Sequence, residues 1–231
     1  MPDVLNRDEL EEELARAVAG KFAKQRRELI ALLGVPPNMY NVPMDFWANG
    51  GKEMRAAIEP ILEKVYLQQA MTVVDTATIG FDWALVNADA IDWVSTYTFE
   101  LAEGITRTTI NGTQKKVRQV IQQFFDEGLT MPQTIARMRQ QLAGIYGPVR
   151  AEMIAITEVT RAAAEGERQA AALIERESGV KMVPTWQTSN DELVCPICGP
   201  KHDKVITDGE FPPAHPRCRC WVAYELPKVS T

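Results

Sequence analysis

The feature that most constrains this chain is the confinement of its cysteines and histidines to one short stretch, CPICGPKHDKVITDGEFPPAHPRCRC at residues 195–220. All four cysteines and both histidines lie there. Cys195 and Cys198 form a C-x2-C pair, a spacing that lets two thiolates bind one ion. Any two of the three potential ligands in the following HPRCRC would complete a tetrahedron, so the stretch predicts a Zn²⁺ site. The candidate ligands are Cys195, Cys198, His215, Cys218 and Cys220.

A structural role for this ion follows from the size of the segment around it. Residues 181–231, called the C-terminal module below, are turn-rich and contain few large apolar side chains. Metal-ligand bonds would supply folding free energy that so small a core lacks. Two alternatives stay open here: disulfides, which form outside reducing compartments, and a catalytic metal. We interpret His202 as a surface histidine unless it proves to be a ligand or a base.

The residues before this module predict a mainly helical body. Apolar residues recur at every fourth position from Leu10 to Phe22, with Asn6 as the predicted N-cap. Glycine and proline predict the end of this helix and a hinge near residues 34–43. A second helix is predicted over about 54–76, and residues 81–105 read as a loop followed by a helix.

Helix boundaries are clearer in the following residues. Apolar spacing predicts a helix from Thr113 to a stop at Gly128, with the preceding Asn-Gly-Thr at 111–113 as a turn and cap. Thr130 is the predicted N-cap of the next helix, with Gln133 completing a capping box. A long alanine-rich helix should then run from Pro148 to Gly179, and its stripe of small residues suits close helix packing.

These elements predict a mainly α fold with a small, zinc-stapled C-terminal module containing short β-strands, an α+β arrangement. WVAYEL at 221–226 is the predicted final strand. We divide the chain into a helical N-terminal region at 1–104, a helical core at 105–180 and the module at 181–231.

Charge and hydropathy narrow the classes of function. The formal net charge is −6, which argues against sequence-independent coating of DNA. Two basic clusters, around Lys21 and around Lys115, are interpreted as solvated helix faces. No apolar run reaches the ~18 residues of a membrane span, and the acidic N-terminus does not resemble a signal peptide. We therefore expect no membrane partner.

An ordered set of motifs from about residue 106 to 227 points to a known family. A helix ending in EGLT is followed by PQTIARMRQQL, then by RAEMIAITEVTRAAAEG, then by Trp186, DELVCPIC and FPPAHPRCRC. This block resembles the phage head-morphogenesis proteins, the Mu F-like minor head proteins of tailed bacteriophages. The Pro-Pro step followed by His-Pro-x-Cys-Arg-Cys is its most specific part.

The resemblance implies a minor head protein that assists procapsid and head assembly at or near the portal, and that has no enzymatic activity. Its expected partners are the portal protein, the major capsid protein and scaffolding proteins, with contact to packaged DNA as a further expectation. Its expected location is the virion, after synthesis in the host cytoplasm. Thr157, Glu158 and Arg161 would then orient the long helix against the C-terminal module.

Two other functions remain as alternatives at this stage. One is a metal-dependent nuclease or other hydrolase centred on His202, Asp203 and the cysteine cluster. With only two histidines in the chain, a structural zinc that uses His215 leaves this nuclease a single histidine. The other is a helical adaptor whose basic clusters hold DNA or a scaffolding protein.

Overall fold

Five α-helices precede three short strands in the computed structural model, which describes residues 4–77, 83–189 and 194–226. The helices are α1 (Arg7–Leu33), α2 (Met44–Ala77), α3 (Trp83–Glu127), α4 (Met131–Tyr146) and α5 (Pro148–Ser178). The strands are β1 (Val183–Gln187), β2 (Lys204–Val205) and β3 (Trp221–Glu225), and single 3-10 turns lie at Met39–Asn41 and Gly199–Lys201. The predicted fold class, mainly α with a small β-containing module, is confirmed.

Local signals located several helix ends correctly. Gly128 and Gly179 follow α3 and α5 with φ of 62° and 72°, the left-handed conformation that ends many helices and that glycine adopts without strain. The backbone N–H of Thr130 donates to Gln133 Oε1 at 2.8 Å, so the predicted capping box begins α4. The predicted final strand is present as β3.

Three local predictions are wrong. Asn6 has a φ of 53° and therefore lacks the extended conformation of an N-cap. Helix α2 begins ten residues before the predicted start. Residues 111–113 lie inside α3 instead of forming a turn. A Cβ at Gly112 would lie 3.1 Å from the Ile145 side chain, so this glycine permits close packing against α4.

The chain divides into two compact units. The first consists of Met1–Glu13, Pro60–Ser95 and Met153–Thr231, and the second consists of Leu14–Glu59 and Thr96–Glu152. The division into regions 1–104, 105–180 and 181–231 stays a prediction. Among the described residues, no helix combines the length and apolar content needed to cross a membrane.

The core of the first unit joins α2 and α5 to the sheet. Tyr66, Ala170, Ile174 and Val222 are among its buried members. A Cβ at Gly166 would lie 2.3 Å from the carbonyl oxygen of Tyr66, so this glycine allows the α5 backbone to lie directly on α2, as its small-residue stripe predicted. The three strands are antiparallel in the order β2-β1-β3.

In the second unit, the side chain of Arg150 contacts three helices. Its guanidinium donates to Thr109 Oγ1 at 2.9 Å, to the Ile145 carbonyl at 2.8 Å and to Thr108 Oγ1 at 2.8 Å. It also lies 5.0 Å from the centre of the Phe22 ring. One planar cation thus links α3 and α4 to α1 within this unit.

Candidate metal centre

The first half of the candidate centre is a tight turn after β1. Backbone N–H groups of Cys198 and Gly199 donate to the Cys195 carbonyl at 3.1 and 2.9 Å. The Cys198 N–H also approaches Cys195 Sγ at 3.4 Å. Such N–H groups stabilise negative charge on a thiolate and fix its direction. The C-x2-C pair is therefore held with both sulfurs on one side of the turn.

The second half is the turn that leads into β3. The Cys218 backbone N–H closes this turn by donating to the His215 carbonyl oxygen at 3.1 Å. Within the turn, Arg217 adopts a φ of 63°. Cys220 immediately precedes β3, so the β1–β3 pairing sets its position relative to the first half. Trp186 on β1 lies opposite Val222 on β3 and packs in a small buried cluster with Cys198, Cys218 and Cys220.

The structure brings all five predicted ligands together in two overlapping groups. Cys195, Cys198 and His215 form one group, and Cys198, Cys218 and Cys220 form the other, with the donor atoms of each within 4.8 Å of one another. Cys198 belongs to both. His215 Nε2 lies 3.0 Å from Cys195 Sγ and 3.3 Å from Cys198 Sγ, and the sulfurs of Cys198 and Cys218 are 3.9 Å apart.

The donor types fit a tetrahedral zinc site, and the donor separations lie near those of such a site. Zn–S and Zn–N bonds of about 2.3 and 2.1 Å place neighbouring donors roughly 3.5–3.8 Å apart, so His215 Nε2, at 3.0 and 3.3 Å from the two sulfurs, would move slightly away from them on binding an ion. Thiolate sulfur and imidazole nitrogen are also the donors that zinc prefers in closed structural sites. The cluster can therefore hold a metal ion, while zinc binding by these residues stays a prediction.

His215 is oriented as a metal-binding histidine would be. Its Nδ1 lies 2.8 Å from the Pro216 carbonyl, and since a carbonyl only accepts, Nδ1 carries the hydrogen. In the neutral ring, Nε2 then presents its lone pair toward the two sulfurs of the C-x2-C pair. A hydrogen bond from the distal ring nitrogen to a backbone carbonyl is the usual way in which a ligating imidazole is fixed.

The thiols of the cluster have unequal proton affinities. Hydrogen bonds, first from the Cys220 side chain and then from the backbone N–H groups of Cys220 and Ala214, lower the pKa of Cys218 to about 5. Burial, followed by repulsion from charge on Cys218, raises the pKa of Cys198 to about 12. Cys218 is therefore the more acidic of these two thiols, and a bound cation would favour deprotonation of all its thiol ligands.

A cavity of about 540 Å³ lies beside the cluster in the first unit. Cys195, Cys198 and His215 line it together with the start of α1 and the residues after β1. It gives the donor atoms an entry path from solvent, which a metal site requires.

The other histidine lies apart from these donor groups. His202 Nδ1 accepts a hydrogen bond from the Thr188 backbone N–H at 3.2 Å. Within the described residues, it belongs to neither cluster of potential ligands. The imidazole instead ties the turn before β2 to the end of β1.

Helix α5 contacts the cluster through hydroxyl groups. Thr157 Oγ1 accepts from the Arg217 backbone N–H at 3.0 Å, in line with the predicted role of Thr157. Glu158 and Arg161 pair with each other on the helix at 3.3 Å. Thr160 Oγ1 donates to the Cys218 carbonyl at 2.6 Å, a contact that sequence reasoning missed.

Two further groups that sequence reasoning missed also hold the module. Buried Glu167 accepts from Gln69 Nε2 at 2.7 Å and from the Val222 backbone N–H at 3.3 Å. At the start of α1, Glu11 pairs with Arg219, the residue between Cys218 and Cys220. The only signal in the sequence was an acidic residue at a position that helical spacing places on a buried face. Such a residue does not identify a partner so distant along the chain.

One comparison with known proteins gives a match. Residues 115–223 match the model of the family described as Phage Mu protein F like protein. No curated protein and no solved structure matches the chain. The matched stretch contains the end of α3, all of α4 and α5, and the whole Cys/His cluster.

Proposed function

We propose that this chain, whose residues 115–223 belong to the Phage Mu protein F like family, is a minor, non-catalytic head protein that acts at or near the portal. Family membership itself indicates a role in phage head morphogenesis and contact with other head components. The portal location, the portal and scaffolding partners and the absence of catalysis are the further steps of the proposal.

The observation that carries the proposal is the position of the Cys/His cluster inside the matched stretch. The cluster is tied to α5 by Thr157 and Thr160 and to the sheet through Trp186. Three of its four cysteines are buried, as in a closed structural site. We propose that one Zn²⁺ joins the two turns and so fixes the module on the helices that carry the family signature.

We further propose that Cys195, Cys198, His215 and Cys218 are the four ligands. Three donor–donor distances connect these four residues. His215 Nε2 lies close to the sulfurs of Cys195 and Cys198, and the Cys198 sulfur lies close to that of Cys218. Cys220 then acts as a neighbour whose thiol donates to Cys218. Each ligand would occupy one corner of the tetrahedron around the ion, which leaves no open position for a substrate.

The zinc site is tested by native mass spectrometry of His215→Ala and of His202→Ala, its matched control. We expect one zinc per chain in the wild type and in His202→Ala, and loss of zinc from His215→Ala. Equal zinc content in both variants would contradict the ligand assignment.

The head-protein role is tested in cells infected by a phage that carries the gene. Tagged wild-type chain and Cys198→Ser are followed through a density gradient that separates procapsids from free protein. We expect the wild type to sediment with procapsids and the variant to sediment less. Chelator-sensitive cleavage of DNA by the purified chain would instead favour the hydrolase alternative.

A further inference from the structure

The second unit contains a groove that the family match does not cover. It lies between α2 and α3, has a volume of about 650 Å³, and is lined by residues between Trp47 and Asn111. The matched residues begin at 115. An inference about this groove therefore stands independently of the proposed function.

The groove has an apolar floor formed by one face of each helix. Trp47 contributes from α2, and Phe99 and Ile110 contribute from α3. Phe99 is 52% exposed, one of the more exposed large apolar side chains of the described chain. A Cβ at Gly51 would lie 3.0 Å from Thr106 Oγ1, so the two helices meet closely at the base of the groove while the aromatic rings remain open to solvent.

The dimensions of the groove suit a helix. The α3 wall runs from Phe99 to Ile110 at positions that share one helical face. With a rise of about 1.5 Å per residue, this wall is roughly 17 Å long, or about three helical turns. An amphipathic helix that places apolar side chains at every third or fourth position would cover it.

The charged side chains around the apolar floor favour a helix that carries acidic residues. Lys52, Arg55 and Arg107 line the groove, against a single carboxylate, Glu103. The guanidinium of Arg55 lies 5.9 Å from the centre of the Phe99 ring and is paired with Glu59 at 3.1 Å, so Lys52 and Arg107 carry the charge that the proposal uses. This local excess contrasts with the net charge of −6 for the whole chain, and it complements an acidic partner.

We propose that the α2/α3 groove binds an acidic amphipathic helix of a partner protein. Apolar side chains of that helix would cover Trp47 and Phe99, and its carboxylates would pair with Lys52 and Arg107. Nucleic acid is the other polyanion with this charge, but an amphipathic helix also supplies the aliphatic side chains that an apolar floor requires, so we favour the helix. In the nearby lysine pair, Glu53 lies 3.8 Å from Lys21 Nζ and 2.6 Å from Lys24 Nζ and offsets one of the two positive charges.

The test uses a fluorescein-labelled peptide of about three helical turns, with leucines on one face and glutamates beside them. Binding to the full chain is followed by fluorescence anisotropy. We expect saturable binding that is roughly tenfold weaker with Arg107→Glu or with Lys52→Glu. Arg118→Glu is the matched control because it makes the same change on an exposed part of α3 outside the groove, and it should leave binding unchanged.

Each of the following results would contradict the proposal. A peptide with lysine at every glutamate position should not bind, and equal binding of this peptide would remove the charge argument. Tighter binding of a single-stranded oligonucleotide, lost in Arg107→Glu, would assign the groove to nucleic acid. Concentration-dependent dimers that Arg107→Glu dissociates would assign it to a second copy, and failure of the acidic peptide to bind would exclude this class of partner.

Discussion

Thr160 Oγ1 lies 2.6 Å from the carbonyl oxygen of Cys218 and 3.0 Å from Nη1 of Arg7. The hydroxyl donates to the carbonyl and accepts from the guanidinium, so one buried group on α5 joins the first turn of α1 to the turn that carries two of the candidate ligands. This relay is contained within the first unit. It makes the position of Cys218 depend on a side chain that is not a ligand.

Replacement of Thr160 by valine keeps the shape of the side chain and removes both hydrogen bonds. The Cys218 carbonyl would then lose its buried hydroxyl donor, and Arg7 would lose one of its acceptors while keeping its ion pair with Glu11, which costs about 1–3 kcal/mol. We expect the free energy of unfolding in urea to fall by that amount. Thr160→Ser, which keeps the hydroxyl, should retain most of the stability, and equal loss in the two variants would mean that the methyl group matters instead.

The proposed ligand set predicts different outcomes at Cys218 and Cys220. Cys218→Ser should release zinc, whereas Cys220→Ser should retain one ion per chain because Cys220 lies next to the ligands instead of among them. Native mass spectrometry at neutral pH measures this directly. Zinc retained by Cys218→Ser and lost by Cys220→Ser would exchange the roles of the two residues.

The contact of Gly166 with the Tyr66 carbonyl predicts a large effect of one methyl group. Since a Cβ would lie 2.3 Å from that backbone oxygen, Gly166→Ala must move α5 away from α2 and should cost about 1–3 kcal/mol through overpacking. Gly144→Ala is the matched control. It lies within α4, and a Cβ there meets nothing within 4 Å. It should stabilise the protein by roughly 0.5–1 kcal/mol, so calorimetry should show melting temperatures that shift in opposite directions.

The buried carboxyl of Glu11 predicts a pH dependence of stability. Burial raises its pKa above the ordinary value of 4.5, against the attraction of Arg219 and Arg7. A carboxyl group with a raised pKa binds protons more tightly in the folded chain, so its contribution is fully present below 4.5 and is lost as the pH rises through the raised pKa.

Relative to Glu11→Gln, the wild type should therefore gain stability when the pH is lowered from neutral toward the ordinary pKa of the carboxyl group. Urea denaturation at both pH values, on the wild type and the variant, measures the difference. A difference that does not change with pH, or that grows in the opposite direction, would show that the ion pair with Arg219 outweighs burial.

Sequence signals that span only a few residues were sufficient to predict some helix ends and not others. The capping box at Thr130 and the terminal glycine at 179 each depend on residues a few positions apart, and both were identified from the sequence. The C-x2-C spacing likewise anticipated that Cys195 and Cys198 would lie together. The inclusion of residues 111–113 in α3 was missed because Gly112 reads as a breaker until its contact with Ile145 is known.

Contacts distant in sequence account for the other omissions. Arg7 meets Thr160, and Glu11 meets Arg219, but neither pair produces a periodic pattern or a recognisable motif. A charged residue near the start of an amphipathic helix reads as solvated unless its partner is known. The candidate ligands could thus be named from the sequence, while the side chains that support them could not.

The three-part composition of the first unit has a consequence for synthesis on the ribosome. Its first segment, Met1–Glu13, is translated long before Arg219, the partner of Glu11, and Glu167 is translated well before Val222, whose backbone N–H it accepts. Folding of this unit is thereby delayed until about residue 222 has left the exit tunnel. Until then, nascent chains expose the apolar face that α2 and α5 share with β3. We expect chaperones to bind this protein at that stage of its synthesis.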